Sequence, residues 1–241
     1  MVEKNNDELQ KQKEYHNKTA QEYDFVDKII SRENRNHIKK LDKIIDLLRL
    51  EGTERILEIG IGSAIHAKHL MRRFPSLDFH GIDISYEMIK ISEDKLKKYN
   101  RVTLTVDNGQ KTKFPDNCFD CVFYATTLHH IPDPVEAVKE VKRILKPGGR
   151  AVFMEPNRLF PKNTWEILTI PEERGMLQIT KKNMKKWGEM YGFRTIEVGN
   201  FLYTLPFPKA LFPLYDRIDA ILEKIPILKK FSFMVYFYGE A

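Results

Sequence analysis

The run Arg55-Ile56-Leu57-Glu58-Ile59-Gly60-Ile61-Gly62-Ser63-Ala64 restricts the fold more than any other stretch of the chain. Its apolar, partly β-branched first half reads as a buried strand. The run then turns on two glycines one residue apart and meets a small polar residue able to open a helix. Glycines at such a turn let a ligand approach the backbone, because no Cβ intervenes. The N–H groups at the start of the helix then face that ligand. This element implies a nucleotide-like ligand on an α/β sheet. The spacing excludes a dinucleotide fingerprint, G-x-G-x-x-G, because its third glycine would stand at the bulky Ile65.

The rest of the chain supplies the sheet. Strands are expected near 55–59, 78–83, 102–106, 119–124 and 150–154, with helices at 63–73, 86–99 and 134–145 between them. That alternation predicts a parallel sheet covered by helices on both faces. Ligands in such sheets bind beyond the carboxyl ends of the strands. Glu58, Asp83, Asp107 and Ala125 all fall there, on four different strands. Two helices, 8–22 and 34–49, precede the sheet; the second carries an apolar stripe of Ile38, Leu41, Ile44, Ile45 and Leu48. Residues 156–179, with Pro156, Pro161 and Pro171, read as irregular. A helix opened by Thr180 should span 180–191, followed by a strand at 194–198. Residues 201–213 are rich in Phe, Leu and Pro; a helix near 214–224 and a last strand at 231–238 follow.

The ordered motifs resemble those of class I S-adenosylmethionine-dependent methyltransferases. Glu58-x-Gly60-x-Gly62-x-Ala64 is similar to that family's first motif, E-x-G-x-G-x-G, with alanine in place of its last glycine. Phe79 to Ile89 resembles its second strand and acidic turn, Val106-Asp107-Asn108-Gly109 its third, and Phe119 to Phe123 its fourth strand. Leu128-His129-His130-Ile131-Pro132-Asp133-Pro134 and Leu145-Lys146-Pro147-Gly148-Gly149-Arg150 complete the series. The resemblance covers residues 15–200 or so. It implies a doubly wound, Rossmann-like sheet of seven strands in the order 3-2-1-4-5-7-6, with strand 7 antiparallel, plus N-terminal helices and cap insertions. It also implies S-adenosylmethionine as cofactor. With no internal repeat or low-complexity linker, one domain is expected over 1–241: a helical cap at 1–50, a donor-binding core at 51–155 and acceptor-side insertions at 156–241.

Site residues follow from the resemblance and from chemistry. Asp83 stands 21 residues after Gly62, matching the roughly 20-residue offset of a ribose-binding acid; the alternative is a helix N-cap, which Ser85 could supply instead. In the family, Asp107 addresses the adenine amino group with a neighbouring backbone N–H, here near Asn108; Asp-Asn-Gly is also a common turn. Glu58 would orient the methionyl ammonium, while Gly60 and Gly62 open the backbone to the methionyl part. Ile84 and Met88 either wall the adenine or simply pack. Tyr15 and Tyr23 resemble an N-terminal cap over the donor. His129 and His130, just past the fourth strand, are candidate general bases, or they brace the turn before Pro132. Two adjacent histidines are expected to point apart, so no metal site is assigned. Ala64 is read as a position that needs smallness more than a positive φ.

Composition bounds the partners. Forty Lys and Arg against 34 Asp and Glu give a net charge of +6, and the lysines sit on expected solvent faces, so no nucleic-acid partner is expected. No apolar run reaches the roughly 18 residues of a membrane span. The polar start lacks a signal core, which favours the cytoplasm. Cys118 and Cys121 form one C-x-x-C without the second pair that structural zinc requires. The expected activity is methyl transfer to a small-molecule acceptor. The aromatic and aliphatic insertions, among them Leu159, Trp165, Leu168, Phe201, Tyr203 and Phe207, either line a pocket for a lipophilic or aromatic acceptor or pack beneath a cap. The alternatives are a macromolecule methyltransferase, acting on RNA or protein, and a donor-binding protein without turnover.

Overall fold

The computed structural model describes the backbone at residues 2–31, 35–201, 217, 221–222 and 225–241. Within them seven strands form one sheet: β1 (Arg55–Ile59), β2 (Asp78–Asp83), β3 (Val102–Val106), β4 (Phe119–Ala125), β5 (Leu145–Pro156), β6 (Arg194–Phe201) and β7 (Met234–Glu240). Their order is β3-β2-β1-β4-β5-β7-β6. The first five are parallel, and β7 runs antiparallel between β5 and β6.

Strand alternation divides the core. Ile56, Phe79, Phe123 and Val152 face one side, where they meet α2 (Arg35–Leu48) and α3 (Ile65–Arg73) through Ile44, Leu48, Leu70 and Met71. Leu57, Val122, Phe153 and Phe237 face the other, against α5 (Pro134–Ile144) and α7 (Lys181–Met190) through Val138, Val141, Met184 and Trp187. β1 and β4, buried on both faces, therefore read as continuous apolar runs. The expected stripe on α2 is buried except at Ile38, which is exposed.

Several expectations on the flanks are corrected. The first helix is longer: α1 spans Val2–Ser31. β5 runs from Leu145 to Pro156, because β7 pairs with it from Arg150 through Pro156. Residues 156–179 are not irregular. They hold α6 (Pro161–Thr169) and a 3₁₀ segment, Pro171–Leu177. Each begins with its proline in the first turn, where the missing N–H costs no hydrogen bond. β7 starts at Met234 rather than 231, because the Asn157 amide donates to the Lys230 and Ser232 carbonyls and holds that stretch out of the ladder. Thr180 caps α7 as expected, accepting from the Asn183 N–H. α4 covers Tyr86–Leu96, and a short α8 covers Pro226–Lys229. Of 201–213 only Phe201 is described. Leu202, Tyr203, Phe207, Leu211, Phe212 and most of the expected helix near 214–224 lie outside the described residues.

Candidate functional site

A cavity of about 290 Å³ opens beyond the carboxyl ends of β1, β2, β3 and β4. The turn after β1 forms its floor. Gly60, at φ 75°, presses against Thr127, and an added Cβ would come within 2.0 Å of the threonine methyl. Gly62, at φ 52°, has open space where a Cβ would stand, so the cavity meets bare backbone there. The α4 side chains pin the turn: Ser92 donates to the Gly62 carbonyl and Lys95 to that of Ser63. Ala64 corrects the sequence reading. It adopts φ 61°, in the left-handed region, so the turn does demand a positive φ there.

Of the expected residues, Gly60, Gly62, Asp83, Ile84, Met88, Asp107, Asn108, Ala125 and His130 line the cavity. The Asp83 carboxylate accepts from the Gly62 N–H and from the Ser85 N–H, both at 2.9 Å. Ser85 takes the N-cap of α4, accepting from Met88 N–H, and donates across to Asn17 of α1. Asp83 thus ties β2 to the glycine turn rather than capping the helix. Burial pushes its carboxyl up, opposed by the backbone donors of Ser85, Gly62 and Ile84. Asp107 also serves its own turn, accepting from the Asn108 and Lys113 N–H groups.

Glu58 lies beneath the floor, fully buried, with Oε1 at 3.0 Å from His66 Nδ1. Burial drives its carboxyl well above the usual range, the nearby Lys40 opposes this and Asp83 adds to it. Burial, with Lys40 and neighbouring histidines, lowers His66 far below its ordinary value and brings His37 to about 3. Among the described residues, Glu58 Oε2, His66 Nε2, His37 Nδ1 and Gln12 Oε1 are buried without a hydrogen-bond partner. Gln12, His37 and His66 line the cavity together with Lys40.

The cap on α1 is built from Leu9, Gln12 and His16, spaced along one helix face. Tyr15 is not among the lining residues, and the side chain of Tyr23 lies outside the described residues. Trp165 and Leu168 are 63% and 73% exposed and do not line the cavity, so α6 does not close over it.

Beyond β4, Thr126 adopts φ 64°, a strained conformation for a β-branched residue. A 3₁₀ turn, Leu128–His130, follows. Glu155, fully buried at the end of β5, organises it by accepting from the N–H groups of Thr127 and Leu128 and meeting His129 Nδ1 at 2.6 Å. Glu173, from the 3₁₀ segment, approaches His129 Nε2 at 3.3 Å and His130 Nε2 at 3.9 Å. The two histidines therefore do not point apart. Consecutive residues in the tight turn bring their ring centroids to 4.0 Å, and the sequence argument against a metal site loses its premise. Burial would lower His129, but the carboxylates of Glu155 and Glu173 outweigh it and raise the imidazole to about 9. Burial, then the charge of His129, holds His130 well below its ordinary value. His16 packs edge-on against His130, and burial lowers it to about 4. Cys118 and Cys121 are buried free thiols, and burial pushes Cys121 to about 12.

Sequence reading missed Gln12, His16, His37, Lys40, His66, Glu155 and Glu173. Glu155 carried a usable signal, an acid at the carboxyl end of a strand like Glu58 and Asp83. The others come from helices whose docking no local pattern specifies.

This geometry defines the class. Residues 57–153 match the family described as Methyltransferase domain, and the sheet order is the one expected of a class I S-adenosylmethionine-dependent methyltransferase. Over 144 residues, 58% of this chain and 61% of the relative, the sequence is 31% identical to a demethylmenaquinone methyltransferase of Geobacillus kaustophilus. The chain thus spans about three fifths of the length of the first curated relatives it matches. In fold it is similar to an S-adenosylmethionine-dependent methyltransferase of Thermotoga maritima, with a TM-score of 0.66 and 18% identity over 93% of this chain and 97% of the other. It is also similar to phosphoethanolamine N-methyltransferase 2 of Haemonchus contortus in complex with S-adenosyl-L-methionine, with a TM-score of 0.64 and 22% identity over 83% and 51%. No described helix is long and apolar enough to cross a membrane.

Proposed function

We propose that the protein transfers a methyl group from S-adenosylmethionine to a small aromatic acceptor of the quinol type. The observation that carries the donor assignment is the set of orphaned polar atoms around the cavity. Glu58 Oε2, His66 Nε2, His37 Nδ1 and Gln12 Oε1 are buried and unpartnered among the described residues, and each such group costs on the order of 1–3 kcal/mol. An ammonium and a carboxylate, the two ends of a methionyl group, supply the complementary partners. A cation beside Glu58 would also restore its ionised form. Asp83 keeps free lone pairs for a ribose diol, Ile84 and Met88 offer apolar contact to a base, and Asp107 with Asn108 stands at its edge. The bare backbone at Gly62 leaves room for close approach.

The sulfonium donor supplies an already activated methyl carbon, so the chain's task is to position an acceptor and exclude water. His130 faces the cavity, whereas His129 has both ring nitrogens turned to carboxylates. The base role expected of the pair therefore narrows to His130, with His129 behind it. The quinol acceptor rests on the curated relatives, whose name specifies demethylmenaquinone. Methylation of an oxygen or a ring carbon of such an acceptor must release the proton that atom carries, and an imidazole kept neutral can take it.

Calorimetry tests the donor assignment: S-adenosylmethionine and S-adenosylhomocysteine should bind saturably and NAD should not. Methyl-labelled donor with a reduced demethylnaphthoquinone tests the acceptor. Label passing to RNA or protein, and none to the quinol, would replace it with a macromolecular substrate.

A further inference from the structure

The pair His129 and His130 meets Glu173 in a way that methyl transfer does not require. The approaches of His129 Nε2 and His130 Nε2 to Glu173, at 3.3 and 3.9 Å, use different carboxylate oxygens. One donor atom from each of the three residues lies within 4.8 Å of the others. Donors at 2.0–2.2 Å from one ion stand roughly 3–4 Å apart, so the three need to close by no more than about an ångström to hold a first-row cation.

The surroundings are those of a built site. His129 Nδ1 rests on the fully buried Glu155 at 2.6 Å, the carboxylate–histidine arrangement that orients a metal-bound imidazole. Glu155 is itself held by the N–H groups of Thr127 and Leu128. Glu173 reaches this depth because Gly175 lies directly on the His129 carbonyl, where a Cβ would fall 1.7 Å from the oxygen. A protonated His129 between two carboxylates accounts for part of the cluster but not for His130. The Glu172 backbone reaches the His130 ring, but its Nε2 distance to Glu173 exceeds hydrogen-bond reach, and its Nδ1 has no side-chain hydrogen-bond partner among the described residues.

We propose that His129, His130 and Glu173 bind one first-row divalent cation of the zinc type on the wall of the cavity, with Glu155 as the outer-shell support of His129. Two imidazoles and one carboxylate favour zinc, cobalt, iron or manganese over magnesium or calcium, which prefer all-oxygen sites. Three protein ligands leave a position open, as in catalytic sites. Because His130 borders the cavity, an oxygen of the acceptor can take that position; the ion then replaces His130 as the activating group, and the acceptor's proton leaves to water. This last step rests on the methyl-transfer reading; the binding of the ion does not.

Chelator-treated full-length protein is titrated with ZnCl₂ by calorimetry and with CoCl₂ by visible absorption, with MgCl₂ as the contrast. One equivalent of zinc should bind at micromolar concentration or below, cobalt should develop d–d bands of a low-coordinate site, and magnesium should give neither. Glu173→Gln and His130→Asn should each abolish the cobalt bands, and Glu155→Gln should weaken zinc about 10- to 100-fold. Glu173 does not line the cavity, so S-adenosylhomocysteine binding to Glu173→Gln shows that this variant is folded. Absence of zinc and cobalt binding overturns the proposal, as does undiminished binding in the variants, which would move the ion to other histidines such as His37 and His66. S-adenosylhomocysteine binding without zinc would reject the metal site and leave the methyltransferase reading intact. Zinc binding without S-adenosylhomocysteine binding would do the reverse.

Discussion

Single residues at this site bear costs that only a ligand or a special backbone explains. Glu58 is a carboxyl driven well above its ordinary value by burial, beneath the floor of the cavity proposed to take the methionyl ammonium. If an ammonium ionises it, binding releases a proton, so donor affinity should rise with pH from the ordinary carboxylate range up to the raised value. Calorimetry in buffers of different ionisation enthalpy measures that proton directly, and Glu58→Gln should remove both the release and the pH dependence. Proton release that persists in Glu58→Gln would assign it elsewhere. Ala64 illustrates the second kind of cost. A left-handed alanine costs roughly 1–2 kcal/mol, while glycine gives back about 0.5–1 kcal/mol in chain entropy. Ala64→Gly should therefore raise thermal stability by up to about 1 kcal/mol and keep donor binding. Ala64→Val, β-branched in the left-handed region and fully buried, should lose about 1–3 kcal/mol.

At the scale of elements, the core strands were legible because their side chains alternate between two helix layers. Ile56 and Leu57, or Val122 and Phe123, cannot be exchanged without turning both layers inside out. Asp83 and the glycines were legible because a strand-to-helix turn is a local object. The segment after β5 was not legible. Pro161 and Pro171 read as breakers, yet each sits in a first turn that proline favours. Nor could sequence show that the 3₁₀ segment lies on the turn at Leu128–His130, since that depends on Gly175 having no Cβ to strike the His129 carbonyl. Gly175→Ala tests this contact. A methyl at 1.7 Å from a backbone oxygen must push the segment outward, a cost of about 1–3 kcal/mol. Melting should fall by roughly 2–4 °C for each kcal/mol lost. An unchanged melting temperature would mean that the segment is not seated this deeply.

On the scale of the whole molecule, the site divides between a rigid sheet and a helix laid across it. The sheet contributes Asp83 and Ala125 at its strand ends and the turn after β1 contributes Gly60 and Gly62, whereas α1 contributes Leu9, Gln12 and His16. α1 has a weakly apolar sequence, and among its described side chains only Ala20 is fully buried. It is tied to the core by the Asn17–Ser85 hydrogen bond at the start of α4 and by the edge-on packing of His16 against His130. A helix held by so few apolar contacts opens at low free energy, while the central strands open only with global unfolding. A ligand seated between them adds contacts to both but changes exchange only where opening was easy. S-adenosylhomocysteine should therefore slow amide hydrogen exchange across residues 9–20 severalfold or more and leave β4 and β5 nearly unchanged. Mass-spectrometric exchange on the full chain reads this peptide by peptide. Equal slowing throughout would indicate general stabilisation, and slowing confined to the glycine turn and α4 would show that α1 is not part of the donor site.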